Sequence, residues 1–279
     1  MQKSSPIIQP AELINLDPSS YILIDASAGS KARYEEKHLI GALYIDLNED
    51  LAEIGDFSIG GRHPLPSLGK FAAVLQQFGI EKESHVIIYD DKNGGNAAAR
   101  FWWMLKAVDH EKVQVVNGGF DAAIKTGFAT DSEKVEAKSC RPYAIHSWQL
   151  PVADIAEVEI ASKTNNQTIV DVRDANRFAG LTEPIDLIAG HIPNAINIPF
   201  TENLDAQGLF LSPELLKEKY ENVLKAQGSK QLIVHCGSGV TACHLLLSMD
   251  YAGLAIPKLY VGSWSEWSRN GKEMVLVNP

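Results

Sequence analysis

The chain has 279 residues, about one and a half to two times the length of a typical single domain, which predicts two domains. Its 45% hydrophobic and 22% charged residues are those of a globular protein and exclude a collagenous, low-complexity or largely disordered chain. Lys and Arg number 25 against 35 Asp and Glu, and the net charge of −10 disfavours nucleic acids and membrane surfaces as partners.

Cysteine content and the N-terminal residues bear on the cellular compartment. Three cysteines occur, Cys140, Cys236 and Cys243, an odd and sparse set that argues against a disulfide framework and for a reducing environment. The N-terminal segment lacks the apolar stretch and cleavage site of a secretory signal. No stretch approaches the ~18 apolar residues of a transmembrane helix. We therefore expect a cytoplasmic protein.

In chain order, apolar runs alternate with amphipathic segments. Residues 65–80 (LPSLGKFAAVLQQFGI) predict a helix and residues 85–91 (HVIIYDD) a buried strand. The same succession returns as a helix over 212–228, with Ser212 as its N-cap before Pro213, and a strand over 231–237 (QLIVHCG). This alternation is typical of βαβ units, so the expected class is α/β, with mostly parallel sheets flanked by helices on both faces.

The second half of the chain repeats the first. LIDASAGSKARYEEKHLIGA resembles IVDVRDANRFAGLTEPIDLIAGHIPNA, and VNGGF at 116–120 resembles YVGSW at 260–264. An offset of 145 residues places Met104 on Met249 and Asp91 on Cys236. The unit is too long for a solenoid repeat of ~20–50 residues. We expect tandem domains at 1–132 and 151–279, joined by a polar linker at 133–150.

Cys236 follows a predicted strand directly and precedes Gly237, Gly239 and a helix. The glycines let successive backbone N–H groups point inward as an anion-binding nest, and the positive end of the helix adds to it. Both effects favour thiolate over thiol, which makes Cys236 the candidate nucleophile. The alternative is a small apolar side chain at a strand end, which leaves the glycine-rich loop without a role.

Two other chemistries of cysteine are disfavoured. A metal site fails because Cys243 and His244 lie about two turns along the helix, ~10 Å from Cys236, whereas a Zn–S bond measures ~2.3 Å. A cysteine phosphatase needs an arginine that closes H-C-x5-R around the phosphoryl oxygens, and this chain has Ala242 there. The remaining task for an activated cysteine in a small anion cradle is transfer of a soft atom such as sulfur.

These motifs resemble the tandem-domain rhodanese superfamily, and within it the 3-mercaptopyruvate and thiosulfate sulfurtransferases. The resemblance rests on DVRDANRF, GHIPNAINIPF, CGSGVTA and GSWSEW in the second copy, and on GGRHPLP, RFWWML and NGG in the first. It implies a catalytic second domain and a catalytically silent first domain with Asp91 at the cysteine position. It implies further that Cys236 takes sulfur from a small-molecule donor as a persulfide, without cofactor or metal. A thiol acceptor such as thioredoxin or a small dithiol, or cyanide, then collects the sulfur.

The resemblance also assigns residues around the cysteine. The persulfide would lie in the nest formed by the backbone of Gly237, Ser238, Gly239, Val240 and Thr241. Thiosulfate-preferring loops carry two cations after the cysteine. The neutral loop of this chain is similar to the mercaptopyruvate type instead.

Arg177 matches the family's substrate-binding arginine, the alternative being a surface salt bridge of little energetic weight. A second arginine that is usual before GHIP is absent from residues 178–190, and Arg62 is a candidate replacement. Ser238 and His63 match positions proposed to polarise the substrate carbonyl or relay protons. The alternative for His63 is a loop histidine bonded to backbone. Because Arg62 and His63 belong to the first copy, the site is expected where two domains meet.

Three functions therefore stand in order. The first is a sulfurtransferase that uses 3-mercaptopyruvate, and the second is the same reaction with thiosulfate. The third is a persulfide carrier module whose Cys236 is loaded by a partner protein. Steady-state turnover with a small-molecule donor separates the enzymes from the carrier.

Overall fold

The computed structural model describes residues 5–276, and its internal contacts divide the chain into two compact units. The first unit comprises the residues up to 52, 66–150 and 206–210. The second comprises 53–65, 151–205 and the residues from 211 onward. The segment 53–65, which carries Arg62 and His63, therefore groups with the second unit although it lies within the first copy of the repeat.

The first unit is built on short strands and helices. Its strands are β1 (Ile7–Ile8), β2 (Ile22–Asp25), β3 (His38–Leu39), β4 (Leu43–Tyr44), β5 (Val86–Tyr89), β6 (Val113–Val116) and β7 (Thr130–Asp131). Its helices are α1 (Pro10–Leu13), α2 (Lys31–Glu36), α3 (Leu68–Gln77), α4 (Ala97–Ala107) and α5 (Gly119–Lys125), with a 3-10 turn at Pro18–Ser20. A parallel sheet has the order β1-β6-β5-β2-β4, and β3 pairs with β7 in the antiparallel sense.

The second unit repeats this plan. Its strands are β8 (Val152–Ala153), β9 (Thr168–Asp171), β10 (Ile196–Asn197), β11 (Leu232–His235) and β12 (Lys258–Tyr260). Its helices are α6 (Ile155–Thr164), α7 (Ala175–Phe178), α8 (Pro213–Ala226), α9 (Ala242–Tyr251) and α10 (Ser263–Trp267), with a 3-10 turn at Phe200–Asn203. All neighbours in the order β10-β9-β11-β12-β8 are parallel. The predicted fold class is confirmed.

Hydrophobic pattern and caps account for the main elements. Strands β5 and β11 are buried at every position, as expected for central strands of a sheet covered on both faces. The Ser67 hydroxyl accepts from Lys70 N at the start of α3, and Ser212 does the same for Leu215 N in α8. Among residues 5–276, no helix is long and apolar enough to cross a membrane.

The stretch 133–150, expected to be a linker, groups with the first unit. The Tyr143 hydroxyl lies 3.0 Å from His110 Nδ1, and the Trp148 ring lies 5.4 Å from Phe71 and 6.2 Å from Trp103, measured between centroids. Sequence periodicity did not indicate this packing because the contacts come from isolated aromatic side chains on irregular backbone.

The strand register corrects the predicted alignment of the two repeats. Asp25 is level with Tyr89 in the first sheet, and Asp171 is level with His235 in the second. The residue after β5 is Asp90, so Asp90 and not Asp91 occupies the position of Cys236. Phe120 N donates to Asp90 O at 2.9 Å, as Trp264 N donates to Cys236 O at 3.0 Å. The 145-residue offset holds along the helices after Ala97 and Ala242, whereas the strands are offset by 146, since the first loop is one residue longer.

Candidate active site

Cys236 lies between the end of β11 and the loop that leads into α9. The residue is 3% exposed, and its backbone is held on both sides: Cys236 N donates to Ser263 Oγ at 3.2 Å, and Trp264 N donates to Cys236 O at 3.0 Å. The carboxyl end of a central parallel strand is where α/β sheets place their reactive groups. The thiol is therefore positioned by backbone contacts from two elements of the second unit.

The helix after Cys236 presents an open N-terminus. Helices α6, α7 and α8 are capped by the side chains of Asp154, Asp174 and Ser212, whereas Thr241 makes no side-chain cap on α9. The first N–H groups of a helix without such a cap favour an anion. A thiolate or persulfide on Cys236 is the anion that the sequence places there.

Gly239 shapes this loop. Its φ of +73° belongs to the left-handed region, and a Cβ at this position would stand 2.5 Å from Val261 O. Both the conformation and the space therefore require glycine. The tight contact brings the loop onto the backbone that follows β12, so the cradle around Cys236 is part of the packed unit.

Ser238 and His63 meet beside Cys236. His63 Nδ1 lies 2.8 Å from Ser238 Oγ, both side chains being largely buried. The His63 segment is fixed to the second unit, because Arg62 N donates to Ser265 Oγ at 3.0 Å and Gly60 N donates to Glu266 Oε1 at 2.7 Å. The expected alternative, a histidine bonded to backbone, does not describe this contact. A hydroxyl and an imidazole two residues from a thiol can share or transfer a proton.

Arg62 and Arg177 come together at Gly237. A Cβ built on Gly237 would lie 3.1 Å from Arg62 Nη2 and 3.4 Å from Arg177 Nη2. Arg62 thus stands beside Arg177, as the candidate replacement for the missing second arginine. Side-chain exposures of 15% and 16% show that neither guanidinium is a surface charge. Glycine at position 237 leaves room for two cations next to the cysteine.

Buried carboxylates hold these arginines. Glu183 accepts from Arg177 Nη2 at 2.7 Å and from Arg173 Nη1 at 3.2 Å. Burial alone would raise the pKa of the Glu183 carboxyl, but hydrogen bonds from Arg177 and from backbone N–H groups hold it below its usual value. Glu183 is therefore an anion, and it fixes the guanidinium of Arg177 in one orientation.

A second carboxylate, Asp186, lies among three arginines. It accepts from Arg62 Nη1, and it lies 3.4 Å from both Arg177 Nη2 and Arg269 Nη1. Sequence analysis did not single out Glu183, Asp186 or Arg269. The search of 178–190 considered cations, although the two acids that such cations require were present in the same segment.

Arg173 has a different task behind the site. It forms a hydrogen-bonded ion pair with Asp171 and donates to Gly190 O at 2.7 Å. Burial would raise the pKa of Asp171, but His235 and Arg173 lower it below its usual value. Burial also lowers the pKa of the His235 ring, which precedes Cys236 directly. Trp264 and Trp267, expected as pocket wall or core, are 0% and 1% exposed within the hydrophobic core of this unit.

The corresponding loop of the first unit is filled by its own carboxylate. Asp90 is fully buried and accepts from the backbone N–H groups of Lys92, Gly94, Asn96 and Ala98 at 2.8–3.2 Å. A built-in anion therefore occupies the place where the second unit offers N–H groups beside Cys236. An Asp side chain cannot carry a persulfide.

Comparison with known proteins agrees with this architecture. The rhodanese-like domain family matches residues 10–126 and again 154–270. The chain is 37% identical over 270 residues to "Probable 3-mercaptopyruvate sulfurtransferase" of Pseudomonas aeruginosa, covering 95% of this chain and 93% of that protein. It is 34% identical to the thiosulfate sulfurtransferase of Gallus gallus, covering 85% and 81%.

Solved structures show the same relation. The 3-mercaptopyruvate sulfurtransferase from Leishmania major superposes with a TM-score of 0.78 at 29% identity, covering 95% of this chain and 74% of that chain. Two matched domains, two repeated parallel sheets and one cysteine at the end of β11 agree with one another. The chain belongs to the rhodanese family and carries two rhodanese-like domains in tandem.

Proposed function

We propose that this protein is a sulfurtransferase that moves a sulfur atom from 3-mercaptopyruvate to a thiol or cyanide through a persulfide on Cys236. The observation that carries the proposal is the juxtaposition of Cys236, the open N-terminus of α9 and the two guanidinium groups beside Gly237. The names of the relatives, which include 3-mercaptopyruvate sulfurtransferases, support the same donor.

The first half-reaction is a displacement at sulfur. The Cys236 thiolate attacks the thiol sulfur of 3-mercaptopyruvate, an S–S bond forms, and the C–S bond breaks with its electron pair on carbon. The proton of the donor thiol ends on that carbon, which gives pyruvate and a Cys236 persulfide anion. Arg177 and Arg62 are proposed to bind the donor carboxylate, since guanidinium groups match carboxylates in a fork geometry.

Ser238 and His63 are proposed to act on the donor carbonyl. Negative charge develops on that oxygen as the C–S bond breaks, and a hydroxyl hydrogen-bonded to an imidazole can donate to it. In the second half-reaction the acceptor attacks the outer sulfur of the persulfide. Cyanide leaves as thiocyanate, or a thiol leaves as a persulfide, and the Cys236 thiolate is regenerated, as expected of covalent catalysis in two steps.

The deciding experiment is steady-state turnover with 3-mercaptopyruvate and with thiosulfate, using cyanide or dithiothreitol as acceptor. We expect kcat/KM to be larger for 3-mercaptopyruvate, and Cys236→Ser to lose activity by at least about a thousandfold. Cys140→Ser is the matched control, because Cys140 lies in the first unit. Preference for thiosulfate would reassign the donor. Absence of turnover that depends on Cys236 would favour the carrier module.

A further inference from the structure

Asp186 is an acid placed among the cations of the anion site. Its side chain is 0% exposed, and its carboxylate contacts Arg62, Arg177 and Arg269. Glu183 already holds Arg177. Orientation of Arg177 therefore does not need a second acid, and the position of Asp186 requires another explanation.

Asp186 faces the same space as the two guanidinium groups. A Cβ built on Gly237 would lie 3.6 Å from Asp186 Oδ2, close to its distances from Arg62 and Arg177. Any donor that reaches Cys236 over Gly237 therefore approaches a fixed negative charge together with two positive ones. The interior of a protein screens such charges far less than water does.

The charges of this cluster can be counted. The guanidinium groups of Arg62, Arg173, Arg177 and Arg269 form ion pairs with the carboxylates of Asp171, Glu183 and Asp186. Four cations against three anions leave one formal positive charge. If Asp186 were neutral, the same cluster would carry two.

We propose that Asp186 is a specificity-determining residue that disfavours dianionic donors such as thiosulfate relative to monoanionic 2-oxo carboxylates. This inference rests on the proposed function. One net positive charge matches the single carboxylate of 3-mercaptopyruvate, whereas a dianion brings a second charge that Asp186 repels. Repulsion by a buried carboxylate scales with the charge of the donor, so a dianion loses twice as much interaction as a monoanion.

The test is the ratio of kcat/KM for thiosulfate to kcat/KM for 3-mercaptopyruvate. Asp186→Asn keeps the shape and one acceptor for the arginines but removes the charge. We expect the ratio to rise roughly tenfold or more in this variant, through a lower KM for thiosulfate. Glu218→Gln is the matched control, since it removes one charge from the exposed surface of α8, and its ratio should equal that of the parent.

A second variant separates charge from packing. Asp186→Glu keeps the charge and should keep the parent ratio. If Asp186→Asn lowers both activities in proportion, or if Asp186→Glu shifts the ratio as Asn does, Asp186 only supports the arginines and the proposal is wrong.

Anion binding gives a measurement that does not depend on turnover or on the Asn variant. Pyruvate and sulfate are titrated as protectants of Cys236 against iodoacetamide in the parent protein, followed by mass spectrometry of the cysteine peptide. We expect pyruvate to protect at lower concentration than sulfate, even if the protein turns over neither donor. Equal or stronger protection by sulfate would overturn the role of Asp186 while leaving the sulfurtransferase proposal to its own test.

Discussion

Gly239 and Gly253 have almost the same backbone conformation but different surroundings. Their φ angles are +73° and +74°, yet a Cβ at Gly239 meets Val261 O at 2.5 Å and a Cβ at Gly253 meets nothing within 4 Å. We predict that Gly253→Ala costs about 1 kcal/mol of unfolding free energy, from the left-handed conformation alone. Gly239→Ala should cost more and also lower kcat, because the loop beside Cys236 must move.

Chemical denaturation and kcat measured on both variants check this prediction. Equal losses of stability, with kcat unchanged in both, would show that the loop adapts to a methyl group without disturbing the cysteine.

Arg177 offers a test of geometry at constant charge. Lysine keeps the positive charge but lacks the planar fork that bonds a carboxylate with two parallel N–H groups. We predict that Arg177→Lys raises KM for 3-mercaptopyruvate by about tenfold, while KM for thiosulfate changes less. Lys219→Arg, a change on α8 that keeps the charge, serves as the control. Identical effects on both donors would mean that Arg177 supplies charge and no fork.

At this scale the sequence predicts the reactive atom better than its electrostatics. Cys236 could be predicted because a strand end, two glycines and a helix start are local signals. Glu183 and Asp186 could not, since an acid in an irregular segment carries no local sign of the arginine that it will contact. Arg62 was predicted as a candidate, but its proximity to Gly237 depends on a contact over 175 residues in sequence.

The loop after the central strand is the element in which the two units differ most. In the first unit Asp90 accepts from four backbone N–H groups, and burial raises the pKa of its carboxyl to about 6. We predict that Asp90→Asn destabilises the protein by about 2 kcal/mol at pH 8, because an amide NH2 would face N–H donors.

Asp91→Asn is the control for this prediction and also for the register of the repeats. Asp91 accepts from Ser30 Oγ at 2.9 Å, a contact that an amide oxygen can keep. Denaturant unfolding should therefore give a loss below about 0.5 kcal/mol for this variant. A larger loss for Asp91→Asn than for Asp90→Asn would restore the alignment that the sequence predicts.

Most elements followed from pattern. The helices at 65–80 and 212–228 and the strands at 85–91 and 231–237 were predicted in place, with boundaries too wide by a few residues. The error in the repeat came from the loop. An offset chosen from the helices cannot detect one extra residue between Asp90 and Ala97, whereas hydrogen bonding between strands fixes the register.

His110 links the stretch 133–150 to the core of the first unit. Burial lowers the pKa of His110 to about 4, and its ring contacts Tyr143 Oη and Ser84 O. An unfolded histidine titrates near 6.5, so between pH 4 and 6.5 the unfolded state binds more protons and stability falls as the pH is lowered. The full effect amounts to up to about 3 kcal/mol.

We predict that His110→Gln flattens this loss of stability in acid. Unfolding free energies of variant and parent are compared by denaturant titration at pH 4.5, 5.5 and 7. His146→Gln, which changes an exposed histidine, should follow the parent at each pH. A His110→Gln variant with the parent's acid slope would show that another group titrates in this range.

On the scale of the whole chain, duplication was visible in the sequence but the division into units was not. Motif matching assigns residues 53–65 to the copy in which they occur, whereas contacts assign them to the second unit. Gly61 shows the cause, because a Cβ there would stand 2.3 Å from Gly262 O. A segment inserted between two helices of one unit can pack on another when a close backbone approach of this kind is available.

The two arginines of α2 and α7 also differ in what they are required to do. Arg173 pairs with Asp171 in the second unit, but its counterpart two residues after Asp25 is Ser27, and there Arg33 bonds Asp25 at 2.9 Å. The arginine that corresponds to Arg177 is thus engaged in holding the sheet end. A cysteine introduced at position 90 would lack a free guanidinium as well as a loop of the right length. Reversion of the first unit to a sulfur-transferring site therefore demands several concerted changes, so its loss of chemistry behaves as a ratchet that no single codon change can undo.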